Sequence, residues 1–122
     1  MKQEISIKIF EIVGSEFCVA ADDGQVVFDQ IVLALDKGFS VKISFLNIER
    51  LTSAFLNVAI GQLYGKYPDE FLRTHLSAED IEADDRLLLK RVVETAKLYF
   101  KNPDRFKQIR NRVLGDEEDV ND

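Results

Sequence analysis

Apolar and polar positions alternate at the start of the chain. Ile5, Ile7 and Ile9 are separated by Ser6 and Lys8, a period of two that predicts a strand over about 4–13 with one buried face. Gly14-Ser15 marks a turn, and the β-prone run Phe17-Cys18-Val19-Ala20 is expected to pair back as a hairpin. The period then lengthens. Val27, Ile31 and Leu35, with Phe28 beside them, follow helical spacing after Asp22-Asp23-Gly24, whose carboxylates suit a helix N-cap, and Gly38 suits a left-handed helix end. Val41, Ile43 and Phe45 alternate with Lys42 and Ser44 just beyond that helix, which predicts a central strand in β-α-β order.

Residues 46–51 read as a loop leading to Thr52-Ser53, a second N-cap signal, and to a buried helix over 54–64 in which Ala59 and Gly61 allow close packing. Tyr67-Pro68 breaks it, since proline disfavours helical geometry in the residue before it. One or two helical turns are expected over 69–75 and a short edge strand within 76–81. Leu88, Val92, Ala96 and Tyr99 predict a long helix over about 84–101, stopped at Asn102-Pro103. Phe106, Ile109 and Val113 predict a final helix over 104–114, closed by Gly115, and the acidic run at 116–122 reads as a disordered tail. The expectation is one α/β domain over 1–115, with a mixed sheet of about four strands packed by helices.

Composition agrees with a single packed domain: 122 residues, 46% hydrophobic and 31% charged, can bury a substantial core. The amino-terminal pattern lacks the apolar core of a signal peptide, and no run approaches the length of a membrane span. A cytoplasmic protein without membrane contact is therefore expected. The net charge of −6 disfavours nucleic-acid binding through bulk charge, but it is unevenly spread. Between Arg86 and Arg112 there are nine bases and two acids: Arg86, Lys90, Arg91, Lys97, Lys101, Arg105, Lys107, Arg110 and Arg112 against Glu94 and Asp104. This candidate basic face could meet nucleic acid or another acidic surface, although such faces are more often simply solvated.

Candidate chemistry is sparse. The six glycines are too scattered for a nucleotide-binding loop. Lone Cys18 lies in an apolar run and reads as a buried small hydrophobe, and lone His75 reads as a surface or helix-end residue without a nucleophile beside it. Acidic pairs at Asp22-Asp23, Asp69-Glu70, Glu79-Asp80 and Asp84-Asp85 fall where helix starts and turns favour carboxylates. No metal, cofactor or catalytic residue is expected, so the protein reads as non-enzymatic. Thr52-Ser53 stands apart, because two hydroxyls sit at a helix start just beyond a central strand, a place for capping, a partner contact or an anion or nucleotide. Leu87-Leu88-Leu89 and Tyr99-Phe100 add apolar surface that suits a homodimer.

The block from Val41 to Tyr64 resembles the STAS-like family of bacterial domains of unknown function. Thr52-Ser53-Ala54-Phe55-Leu56-Asn57 carries most of the resemblance, Asp23-Gly24 and the leucines after Asp84-Asp85 agree with it, and it covers roughly residues 5–100. More distantly the block is similar to the anti-sigma-factor antagonists, which bind a kinase-like anti-sigma factor and are phosphorylated within an Asp-Ser-Ser-Gly pattern at this helix start. Here Ala54 stands at the usual acceptor. The resemblance implies a STAS-like α/β fold and a regulatory module that binds a histidine-kinase-like ATPase through Thr52, Ser53 and Asn57, with Ser53 or Thr52 as alternative phosphoacceptors.

Overall fold

The computed structural model describes residues 3–101. Strand β1 (Glu4–Lys8) leads into helix α1 (Ile9–Val13), strand β2 (Phe17–Cys18) and helix α2 (Ala21–Asp36). Strand β3 (Ser40–Ser44), strand β4 (Arg50–Leu51) and helix α3 (Ser53–Ala59) follow, and a 3-10 turn over Gly61–Gly65 extends α3. Helix α4 (Asp69–His75), strand β5 (Leu76–Glu79) and helix α5 (Ala83–Lys101) complete the described fold. The predicted final helix at 104–114 and the tail at 116–122 lie outside the described residues.

The α/β class expected from the sequence holds, with the strands arranged in two small sheets. One has the order β1-β3-β5 and the other pairs β2 with β4, every pair being parallel. β3 is central, as its alternation predicts. In this sheet Ile5, Ile7, Val41, Ile43, Leu76 and Ala78 share one face, while Ser6, Lys8, Lys42, Ser77 and Glu79 share the other. The first face packs into the core with the helices. The second is polar, and there Ser6 Oγ donates to Glu79 Oε2 at 3.2 Å and Lys42 pairs with Glu4 at 3.3 Å.

Several predicted boundaries shift. The strand predicted over 4–13 ends at Lys8, because Ile9, Ile12 and Val13 also satisfy helical spacing and form α1, with Gly14 at φ 77° closing it. The run at 17–20 forms no hairpin: β2 pairs in parallel with β4, which lies within the predicted loop. The first helix starts after Ala20, so Asp22 and Asp23 serve its first turn as charges on the helix dipole rather than as caps. Its other end matches the reading. Phe39 N–H donates to Ala34 O and Gly38 N–H to Leu35 O, a Schellman closure around Gly38 at φ 92°. The predicted helix over 54–64 is divided at Ile60 into α3 and the 3-10 turn.

The core is centred where α2 crosses α3. Val27, Ile31, Phe55, Leu56 and Ala59 are all fully buried. Gly24 makes the crossing close, since a methyl group there would lie 2.6 Å from the Phe55 carbonyl oxygen and 3.1 Å from Val58 Cβ. Gly24→Ala is therefore expected to destabilise the fold by about 1–3 kcal/mol through overpacking, outweighing the up to ~1 kcal/mol that alanine gains in a helix interior. Urea denaturation checks this, and an unchanged midpoint would show that the helices have room to separate.

Candidate functional site

The start of α3 is built by a non-local contact. β4 delivers the chain alongside β2, and Thr52 N–H donates to Cys18 O at 3.2 Å. The Thr52 hydroxyl then works in both directions: Oγ1 donates to Val19 O at 2.9 Å and accepts from Phe55 N–H at 3.2 Å. It caps the helix as predicted and also ties the cap to the end of β2. Ser53 and Asn57, one turn apart on the same side of α3, are both exposed, as is Ala54. Phe55 and Leu56 anchor the opposite side in the core.

The structure thus separates the two neighbouring hydroxyls. Thr52 has a donor and an acceptor role in the scaffold, and Ser53 faces solvent. Two residues that the sequence reading did not single out lie on the outward side of the β2 run: Val19, whose carbonyl accepts from Thr52, and Phe17, which pairs with Arg50, 40% and 47% exposed. Their neighbour Cys18 points inward, and burial, with a smaller contribution from the Asp23 carboxylate, pushes its thiol up to about 11. The alternation of Phe17, Cys18 and Val19 was a signal for this, but the partner strand is distant in sequence.

Asn57 also borders a groove of about 230 Å³ with Gly61, Gln62, Thr95, Tyr99 and Phe100, so the exposed side of α3 continues toward the end of α5. A larger hollow of about 490 Å³ opens at the carboxyl ends of β3 and β5, where parallel sheets often hold ligands. Its rim carries Glu16, Glu49, Asp80, Glu82 and Asp85, a lining unsuited to phosphate groups. Asp80 is structural here. It adopts φ 59° and accepts from the buried Ser44 hydroxyl at 2.8 Å.

The basic candidates divide. Arg86, Lys90, Lys97 and Lys101 fall within about 60° of one another around α5, along about 22 Å of its length. Arg91 projects from a different part of the circumference. Lys97 has structural partners, lying 3.4 Å from Asp69 Oδ1 and 5.9 Å from the Tyr64 ring centre. Arg105, Lys107, Arg110 and Arg112 lie outside the described residues. Leu87 and Leu98, on the outward side of α5, are exposed. His75 ends α4, with Nδ1 2.9 Å from Phe71 O and its ring stacked on Phe71.

Thr52→Val keeps the shape but loses the cap and the link to Val19, an expected cost of about 1–2 kcal/mol in chemical denaturation. Ser53→Ala is expected to stay within about 0.5 kcal/mol of the parent. Equal effects at both positions would contradict the division of roles. Cys18 should resist aromatic disulfide reagents at pH 8 in the folded protein and react on unfolding. Because its folded value lies above the ordinary 9.0, its contribution to stability is present below pH 9 and declines as pH rises from about 9 to about 11.

Among the described residues, no helix is long and apolar enough to cross a membrane. No curated protein and no solved structure matches the chain. The profile of a family described as a STAS-like domain of unknown function matches residues 23–86, a stretch that runs from the first turn of α2 through α3 to the first turn of α5. It includes the Gly24 crossing, the Thr52 cap and the exposed side of α3, and the chain belongs to this STAS-like family.

Proposed function

We propose that the protein is a non-enzymatic regulatory module that binds a protein partner, of the histidine-kinase-like ATPase class, through the start of α3. The observation that carries this reading is the exposed pair Ser53 and Asn57 on a helix start held in place by Thr52, which is tied to the β2 run that exposes Val19 and, two residues back, Phe17. A fixed backbone limits the ordering cost of association, and exposed apolar area on the β2 run together with small polar groups on α3 supplies both area and hydrogen-bonding capacity. The partner class comes from the similarity to anti-sigma-factor antagonists, whose corresponding helix start meets a kinase-like partner. Ala54 occupies the usual phosphoacceptor position, so an unmodified contact is the primary role. Ser53, whose hydroxyl is exposed, is a better phosphoacceptor than Thr52, whose hydroxyl is engaged.

Mass photometry of the full chain with kinase-like ATPase domains encoded near its gene tests this reading. Complex formation by the parent is expected, with at least ~tenfold weakening by Ser53→Asp or by Phe17→Asp. Ser77→Asp, on the polar face of the sheet, is expected to leave binding unchanged. Failure of every such domain to bind the folded parent, or equal binding by all variants, would overturn the assignment.

A further inference from the structure

Among the described residues β5 is an edge strand, paired on one side only. Phe45 N–H donates to Glu79 O at 3.0 Å, so Glu79 and, two residues back, Ser77 direct their backbone groups toward β3. Ala78 therefore directs its N–H and C=O outward, and among the described residues neither has a hydrogen-bond partner. Leu76 is half closed, since its N–H donates to Leu72 O. The strand, Leu-Ser-Ala-Glu, carries neither the lysine nor the proline that commonly blocks such an edge.

A small apolar recess of about 110 Å³ adjoins this edge. Leu76 and Ala78 form its strand side, Leu89 and Val93 of α5 its helix side, and Tyr64 part of its floor. On α5 the residues next around from Leu89 and Val93, away from the core, are Arg86, Lys90 and Lys97. Lys97 is paired with Asp69, whereas Arg86 and Lys90 make no ion pair among the described residues. An open backbone donor and acceptor, an apolar recess and a basic rim thus lie side by side.

We propose that the β5 edge is a second interaction surface, which takes an extended acidic segment of a partner protein as an added strand. The backbone of that segment pairs with Ala78, an apolar side chain enters the recess, and flanking carboxylates meet Arg86 and Lys90. This is strand addition between an edge and a helix, in which main-chain hydrogen bonds give affinity and the recess and charges give specificity. The surface is separate from the start of α3 and does not depend on the role assigned there. The acidic run at 116–122 of this chain is the competing occupant.

The test uses the full chain and an N-acetylated octapeptide of alternating glutamate and valine, with a lysine–valine octapeptide as control. Amide exchange at Ala78, followed by NMR, is expected to slow at least ~tenfold at saturating acidic peptide and not with the basic one. The combined Arg86→Glu and Lys90→Glu variant is expected to lose at least ~tenfold in affinity. Ala78→Pro, which removes the outward N–H at an edge position, is expected to lose binding as well. Unchanged Ala78 exchange on peptide binding would overturn the proposal, since the peptide would then meet only the charges of α5. It would equally be overturned if Ala78 were protected in the free parent and released by Glu117→Gln, Glu118→Gln and Asp119→Asn together, because the chain's own acidic run would then be the occupant.

Discussion

The approach of α2 to α3 at Gly24 is the constraint on which the rest of the molecule depends. Without a side chain at that position, the Phe55 carbonyl and the Val58 side chain come close to the α2 backbone. Phe55, Leu56 and Ala59 then share one buried cluster with Val27 and Ile31. The crossing fixes the rotation of α3 about its own axis: once 55, 56 and 59 point inward, 53, 54 and 57 must point out. The side chains exposed at the start of α3 are thus determined by a contact on its opposite side. Close packing makes that coupling stiff.

The small β2–β4 sheet supplies the second coordinate. Two residues from each strand suffice to bring the end of one loop beside the beginning of another helix, and the Thr52 side chain joins the two at a single atom. So short a parallel pair has little stability of its own. Its inward residues, Cys18 and Leu51, belong to the main core, which supplies what the ladder lacks.

Patterns that report one-sided burial were legible in the sequence. Val27, Ile31 and Leu35 on α2, and Val41, Ile43 and Phe45 on and beyond β3, each repeat with the period of the element they form, and the edge strand, the long helix and the Thr52 cap were read correctly. Ile9 was ambiguous for a physical reason, since 5, 7 and 9 fit a strand while 9, 12 and 13 fit a helix. The chain uses both in turn. The packing role of Gly24 does not show in the sequence, where it only follows two capping-type carboxylates, because a close approach is a property of two helices and leaves no mark on one. Arg50-Leu51 is too short to show a period, so β4 and its parallel pairing were invisible. With that pairing went the position of Val19 beside Thr52, which only the folded backbone brings together.

Thr52 and Ser53 are adjacent hydroxyls with unequal freedom. One is held in a bridge between a strand and a helix, and the other, among the described residues, has no side-chain hydrogen bond to the protein. Exchange at Thr52 would be felt first as a change in the scaffold, whereas exchange at Ser53 would be felt by whatever approaches. Support and display are thereby assigned to consecutive residues, so the group presented at the start of this helix can change within a single turn while the core stays as it is.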